Sequence, residues 1–203
     1  MTCLYAGKPE LYAKVEEAIR VHQNNDVAVA FGIAASCILE GVLLGSSLED
    51  ALEKCGSSGL GGPKADMVTE AFATGKNAAS SESLEELLIK VSNEIMKDNP
   101  ESPFYNLAGR SCKLPGAFIV PVHQSYVGVK GNSDDVYVTA IRNNILGAGD
   151  TCSRAVIIGA ILAAATGGPP ESWIAKMDEA TLVKVNAAAE KIADYAVATC
   201  PSI

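Results

Sequence analysis

The chain contains 203 residues, of which 48% are hydrophobic and 20% are charged, and this composition excludes disordered, collagenous and fibrous proteins. Its 16 basic and 24 acidic side chains give a net charge of −8 without a basic stripe, which argues against nucleic acid and anionic membrane surfaces as partners. The length suits a single domain over residues 1–203 with a sizeable core.

The chain shows neither a secretory signal nor an obvious membrane span. Its first nine residues contain no basic segment followed by an apolar run, so a cytoplasmic location is expected. The longest uncharged stretch, residues 155–170, is shorter than the roughly 20 residues of a membrane helix and contains three glycines. We therefore expect it to form a buried helix and expect no membrane partner.

Two helices are predicted before residue 45. Pro9 suits the first position of a helix, and the residues after it form one stripe at spacings of four, three and four. That stripe consists of Leu11, Val15, Ala18 and His22. Residues 24–26, Asn-Asn-Asp, cap a second helix over 27–44 in which Glu40 is the only charged side chain. A helix this apolar is expected at the centre of the core.

The same signals predict that most of the remaining chain is helical. Residues 47–50 have the form of a capping box, which opens a short helix that Gly56 is expected to stop, and a flexible joint is expected at 59–62. Further helices are predicted at 64–74, 84–95, 134–144, 151–166, 171–177 and 179–199. Residues 114–130 fit either a strand, because of their valines, or a helix that begins near Leu114. The predicted fold class is all-α.

The six cysteines lie far apart in the sequence, and no Cys-x-x-Cys motif is present. With only two histidines to complement them, a zinc site is not expected. Scattered cysteines in a chain of this size are typical of reduced, buried side chains rather than a disulfide framework. Cys152 is the exception that we consider as a reactive thiol, because helix N-termini lower the pKa of thiols.

Residues 147–154, Gly-Ala-Gly-Asp-Thr-Cys-Ser-Arg, are the most informative segment. Two glycines allow a sharp turn, and Asp150 then falls at the start of a helix whose residues 155–165 are all apolar or glycine. We expect this helix to be among the most buried. Asp150 and Ser153 together present hard oxygen atoms that suit Mg²⁺ or Ca²⁺. The alternative is that Asp150 is simply the N-cap of the helix.

Three segments of this chain resemble the C-terminal half of the ADP-ribosylglycohydrolase family. They are Leu-Pro-Gly-Ala at 114–117, the run 140–151 with the Ala/Gly helix after it, and Pro-Glu-Ser-Trp at 170–173. Residues 5–26 resemble the family's middle helix and its Thr-His turn. The resemblance implies a compact, orthogonal all-α bundle that hydrolyses ADP-ribose linkages with two divalent cations, usually Mg²⁺.

The family's metal-binding motif is Gly-Gly-Asp-x-Asp-Ser/Thr, and it falls on residues 148–153 of this sequence. The resemblance implies Asp150 and Ser153 as metal ligands, whereas Cys152 replaces the second Asp. A thiol is a poor ligand for Mg²⁺, so Mg²⁺ binding is expected to be weak or absent, and no other cofactor is expected. The implied ligand-cleft candidates are Gly149, Thr151, Cys152 and His22. The implied partners are ADP-ribose or an ADP-ribosylated substrate.

The family's other metal ligands, a Gly-Asp and a Ser/Thr-Asp-Asp, belong to a region upstream of anything matched here, so the chain is expected to be N-terminally incomplete relative to the family. Residues 133–135, Ser-Asp-Asp, have the right letters but are interpreted as the N-terminal cap of the next helix. The Cys152-Ser153-Arg154 run is similar to the J-crystallin and selenoprotein J branch, whose members are thought to be structural.

Three hypotheses for the function stay open from the sequence. The first is a degenerate, crystallin-like pseudoenzyme, and the second is a fragment of an active Mg²⁺-dependent hydrolase of ADP-ribosyl linkages. The third is a module that binds ADP-ribose or a related nucleotide. His123, within the apolar segment 114–130, is interpreted as structural.

Overall fold

The computed structural model describes residues 1–57, 60, 64–131 and 135–199. All regular secondary structure within these ranges is helical, which confirms the all-α prediction. The α-helices are α1 (Thr2–Tyr5), α2 (Leu11–His22), α3 (Asp26–Leu43), α4 (Leu48–Ser57), α5 (Ala65–Ala78), α6 (Leu84–Ile95), α7 (Gly116–Lys130), α8 (Val136–Leu146), α9 (Thr151–Thr166), α10 (Glu171–Ile174) and α11 (Glu179–Thr199). A 3₁₀ helix, Tyr105–Arg110, lies between α6 and α7.

The starts of α3 and α6 agree with the sequence predictions, whereas Pro9 is not the first residue of a helix, because α2 begins at Leu11 with Glu10 as its N-cap. The Asn25 side chain accepts hydrogen bonds from the backbone N–H groups of Val27 and Ala28 at the start of α3. Ser83 and Glu86 form a complete capping box at the start of α6. These side chains satisfy backbone donors that a helix N-terminus leaves without partners.

Gly56 does not stop α4, which continues to Ser57. A Cβ atom at Gly56 would lie less than 3.0 Å from the ring of Phe72 on α5. The glycine therefore allows a close approach of α4 to an aromatic side chain. The predicted joint at 59–62 lies outside the described residues except for Leu60, and so do Ser133 and Asp134.

Residues 116–130 form the helix α7, so the strand alternative is wrong. Ten of its residues between Gly116 and Tyr126 are buried, because α4, α5, α6, α8, α9 and the 3₁₀ helix all pack around it. The Phe118 ring lies 5.2 Å from the Phe31 ring of α3, measured between centroids. A helix covered on every side needs no polar face. Its sequence therefore lacks the alternation of apolar and polar residues that distinguishes a helix from a strand.

The prediction that α9 is among the most buried helices is wrong. Its buried residues are Arg154, Ile158, Ile161 and Leu162, and they face α3, α7 and α8. The opposite face is open, with Val156 71% exposed. An apolar run of small residues does not by itself show how many faces of a helix are covered.

The helix α3 is long and apolar enough to cross a membrane by length and composition alone. In this fold it packs against α1, α2, α4, α5 and α9, and its Phe31, Ala34, Cys37 and Ile38 belong to the main core cluster. This is the packing of a core helix, as the sequence predicted.

The C-terminal part of the chain lies at the periphery. The helix α10 is shorter than predicted and ends at Ile174; its Trp173 ring packs edge-on to Tyr137, with 6.1 Å between centroids. The helix α11 has no buried residue and packs against α1, where Lys8 lies over the Tyr195 ring.

Candidate functional site

The turn between α8 and α9 depends on an unusual backbone conformation. Ala148 and Gly149 both have positive φ, at 55° and 70°, a region that L-residues with a Cβ avoid. A Cβ atom at Gly149 would lie less than 3.0 Å from the backbone of Arg110. The N–H of Asp150 donates to the carbonyl oxygen of Arg110 at 2.7 Å. The turn is thus held directly against the end of the 3₁₀ helix.

Arg154 ties this turn to its surroundings from inside the protein. Its guanidinium is fully buried and donates to Asn144 Oδ1 at 2.8 Å, to the Arg110 carbonyl at 2.8 Å and to the Ala148 carbonyl at 2.5 Å. Asn144 is also buried and donates to the Thr151 carbonyl at 2.9 Å. Burial lowers the pKa of Arg154, but an arginine stays protonated in proteins.

Arg154 is a residue whose role sequence reasoning missed. It is the only charged residue of the sixteen in α9. This isolated charge could have indicated a buried hydrogen-bonded role, because a charged side chain inside an apolar helix is rarely buried without partners.

Asp150 is the N-cap of α9. Its Oδ1 accepts from the Ser153 N–H at 3.1 Å, and its Oδ2 accepts from the Ser153 hydroxyl at 2.7 Å. These two hydrogen bonds, assisted by Arg154 and by the thiol of Cys112, lower the pKa of Asp150. The carboxylate is therefore ionised at neutral pH, and both of its oxygens serve the helix start.

Cys112 is a second residue that the sequence did not reveal. It follows the 3₁₀ helix and is exposed, and it lies near enough to Asp150 to contribute slightly to the lowered pKa of that carboxylate. No motif links positions 112 and 150, so only the tertiary packing of the two loops brings them together.

The donor atoms at this turn do not fit a two-cation magnesium site. Mg²⁺ requires near-octahedral coordination by oxygen, whereas the side chains of this turn offer one carboxylate, the hydroxyls of Thr151 and Ser153 and the soft thiols of Cys112 and Cys152. Within residues 1–57, 60, 64–131 and 135–199, no group of three or more His, Cys, Asp and Glu side chains could hold a metal ion. Asp135 occupies the N-cap position of α8.

The remaining cleft candidates divide between two places. Gly149, Thr151 and Cys152 lie together at the start of α9, and the Cys152 side chain is exposed. His22 is exposed at the end of α2, whose packing partners are α1 and α3. The hydrogen bonds of the turn run instead to Arg110, Asn144 and Arg154.

A cavity of about 350 Å³ adjoins the turn on the side of Gly147. Three side chains of its lining are joined by hydrogen bonds. Asn143 Nδ2 donates to Gln124 Oε1 at 3.5 Å, and Gln124 Nε2 lies 3.0 Å from His123 Nδ1. Since Gln124 Nε2 can only donate, His123 Nδ1 is the acceptor, and the proton on Nε2 points to the Glu82 carbonyl at 3.3 Å. This hydrogen-bond pattern is that of a neutral imidazole, and the structural role of His123 stays a prediction.

We expect acid to destabilise the fold through His123. Burial lowers its pKa below the ordinary 6.5, against a smaller opposing effect of Glu82. The unfolded chain therefore binds more protons than the native one just below pH 6.5, and the free energy of unfolding falls as the pH drops through that window. Urea titrations from pH 7.5 to 5.5 should show this fall for the wild type and a smaller fall for His123→Gln.

The control for this measurement is His22→Gln, because His22 is exposed. This variant should keep the wild-type pH dependence. An equal flattening of the two curves would show that His123 is not the responsible group.

The comparisons with known proteins agree with this architecture. The family model described as ADP-ribosylglycohydrolase matches residues 1–201. No curated protein and no solved structure matches the chain significantly. Because the match covers nearly every residue, from α1 through α11, the chain belongs to the ADP-ribosylglycohydrolase family.

Proposed function

We propose that this ADP-ribosylglycohydrolase-family chain has a structural role and does not by itself perform two-metal hydrolysis. The observation that carries the proposal is the hydrogen bonding of Asp150, whose two carboxylate oxygens both accept hydrogen bonds from Ser153 at the start of α9. In this proposal, the turn that corresponds to the family's metal-binding motif stabilises the fold.

The chemistry of the neighbouring position supports the same proposal. The second carboxylate of the family motif corresponds to Cys152, and a thiol replaces a hard oxygen ligand with a soft one. Hydrolysis of this class depends on cations held in fixed geometry, and a displacement of about 1 Å can cost roughly a hundredfold in rate. We therefore propose that this turn binds Mg²⁺ weakly or not at all.

Within the family, we place the chain nearest to the J-crystallin and selenoprotein J branch. The Cys152-Ser153-Arg154 run supports this placement, and the buried position of Arg154 gives the run a structural purpose. The net charge of −8 suits a protein kept soluble at high concentration. A cytoplasmic location is part of the same proposal.

The direct test is a turnover assay. The chain should release no measurable ADP-ribose from ADP-ribosyl-arginine, ADP-ribosyl-serine or modified protein, with or without added Mg²⁺. Calorimetry should give at most weak Mg²⁺ binding, which Cys152→Asp should strengthen. Mg²⁺-dependent release by the wild type would favour the active hydrolase instead.

Two variants of Asp150 separate a ligand from a cap. Asn is as good an N-cap as Asp, so Asp150→Asn should leave the free energy of unfolding nearly unchanged, whereas Asp150→Ala should lower it by about 0.5–2 kcal/mol. A metal-dependent activity would be lost in both variants. Activity lost in both, with stability lost only in Asp150→Ala, would contradict a purely structural Asp150.

The cavity beside Gly147 favours a second candidate, a module that binds ADP-ribose or a related nucleotide. Its volume of about 350 Å³ lies at the lower end of the range for small-molecule sites, and the side-chain amides of Gln124 and Asn143 in its lining offer hydrogen bonds. Titration calorimetry with ADP-ribose tests this candidate. Binding that is lost in Asn143→Leu but kept in Asn186→Leu, on the exposed helix α11, would favour the module over the structural role.

A further inference from the structure

The helices α3 and α4 form an antiparallel hairpin that is unusually close. The connection between them covers residues 44–47, and the first facing pair is Gly41 and Ala51. A Cβ atom at Gly41 would lie 2.9 Å from the Cβ of Ala51. The two backbones therefore approach within the distance that only a glycine permits.

One helical turn farther from the connection, the same faces carry two cysteines. Cys37 lies four residues before Gly41, and Cys55 lies four residues after Ala51, so the antiparallel register places them opposite each other. The Cys55 thiol donates to the carbonyl oxygen of Ala34 at 3.4 Å, which fixes it on the α3 surface next to Cys37. A close helix pair is what the short Cβ to Cβ separation of a disulfide requires.

The two cysteines belong to the same cluster of core residues. Cys37 and Cys55 are 3% and 4% exposed, and both are present as thiols. The Tyr12 hydroxyl, which donates to Glu40 Oε2 at 2.9 Å, is close enough to Cys37 to affect its titration. Cys55 and Tyr12 act against burial and lower the pKa of Cys37 to about 6, which favours the nucleophilic thiolate.

We propose that Cys37 and Cys55 are a redox-sensitive pair that forms an intramolecular disulfide between α3 and α4. With a small disulfide such as glutathione disulfide as oxidant, which reaches the pair when the α3–α4 hairpin opens locally, the Cys37 thiolate attacks one sulfur and releases one glutathione thiolate. Cys55 then gives up its proton and attacks the Cys37 sulfur of the mixed disulfide, which releases the second glutathione. The pair loses two electrons and two protons, and the oxidant becomes two molecules of glutathione. This inference is independent of the proposed function.

The experiment uses the full chain with its other cysteines replaced by Ser. The replacements are at Cys3, Cys112, Cys152 and Cys200. The chain is equilibrated in graded ratios of reduced to oxidised glutathione, starting once from the reduced chain and once from chain oxidised in urea and refolded, and both arms are trapped by alkylation for mass spectrometry. We expect the two arms to converge on a peptide pair linked through Cys37 and Cys55.

The native fold should favour this disulfide over the unfolded chain. Because the fold holds the two cysteines opposite each other on adjacent helices, half-oxidation should occur in buffer at least about tenfold more reducing than the same chain needs in urea. A native chain that needs equal or more oxidising buffer would overturn the proposal. So would an oxidised chain that fails to refold, or a product dominated by mixed disulfides with glutathione.

Thermal unfolding gives a second, independent readout. A disulfide across a loop of about 18 residues should raise the Tm of the oxidised chain by roughly 6–12 °C. The matched controls are Cys37→Ser and Cys55→Ser, each measured with and without oxidant. The oxidant should leave the Tm of each control unchanged, and an equal rise in a control would contradict the proposal.

Discussion

Replacement of Arg154 by Met is expected to lower the free energy of unfolding by about 3–5 kcal/mol. The Met side chain fills much of the space of the buried guanidinium but donates no hydrogen bond. It would leave Asn144 Oδ1 and the Ala148 carbonyl without this donor and the Arg110 carbonyl with only the Asp150 N–H. Buried acceptors that lose their partner cost more than the bond itself contributes. Urea unfolding at neutral pH measures the loss.

The matched control is Arg142→Met, which makes the same chemical change on an exposed part of α8. It should change the free energy of unfolding by no more than about 0.5 kcal/mol. Arg154→Lys should be intermediate, because an ammonium carries the charge but cannot reach three acceptors in fork geometry. Equal losses in Arg154→Met and Arg142→Met would show that the buried hydrogen bonds do not stabilise the turn.

The starts of α3, α6 and α9 were predictable because their signals are local. Asn25, Ser83 and Asp150 each bond to backbone atoms within three residues along the chain, so the sequence contains the whole interaction. The nature of α7 was not predictable in this way. Its side chains pack against most of the surrounding elements, including α3 through Phe118. A helix without a polar face has no periodic pattern in its sequence that would distinguish it from a strand.

The candidate site was predictable only in part for the same reason. The Gly-Asp motif located the turn and the capping role of Asp150, since Ser153 is three residues away. The approach of the turn to Arg110 and Cys112 spans about forty residues and depends on where the 3₁₀ helix packs. The thiol pair of Cys37 and Cys55 likewise appears only when the register of the α3–α4 hairpin is known.

Substitution of Gly149 by Ala is expected to lower the free energy of unfolding by about 2–5 kcal/mol. Two separate costs add at this position. The positive φ of 70° is unfavourable for a residue with a Cβ, and the new methyl group would collide with the backbone of Arg110, which cannot rotate away as a flexible side chain can. The collision also opposes the hydrogen bond from the Asp150 N–H to the Arg110 carbonyl.

Gly167→Ala is the control that separates the two costs. Gly167 ends α9 with a φ of 87°, yet a Cβ atom there would meet nothing within 4 Å. This variant should therefore lose only the conformational contribution, about 1 kcal/mol. The difference between the two variants measures how tightly the turn is pressed against Arg110. Equal losses in the free energy of unfolding would mean that the turn can move away from Arg110 at little cost. The contact with Arg110 would then not stabilise the fold.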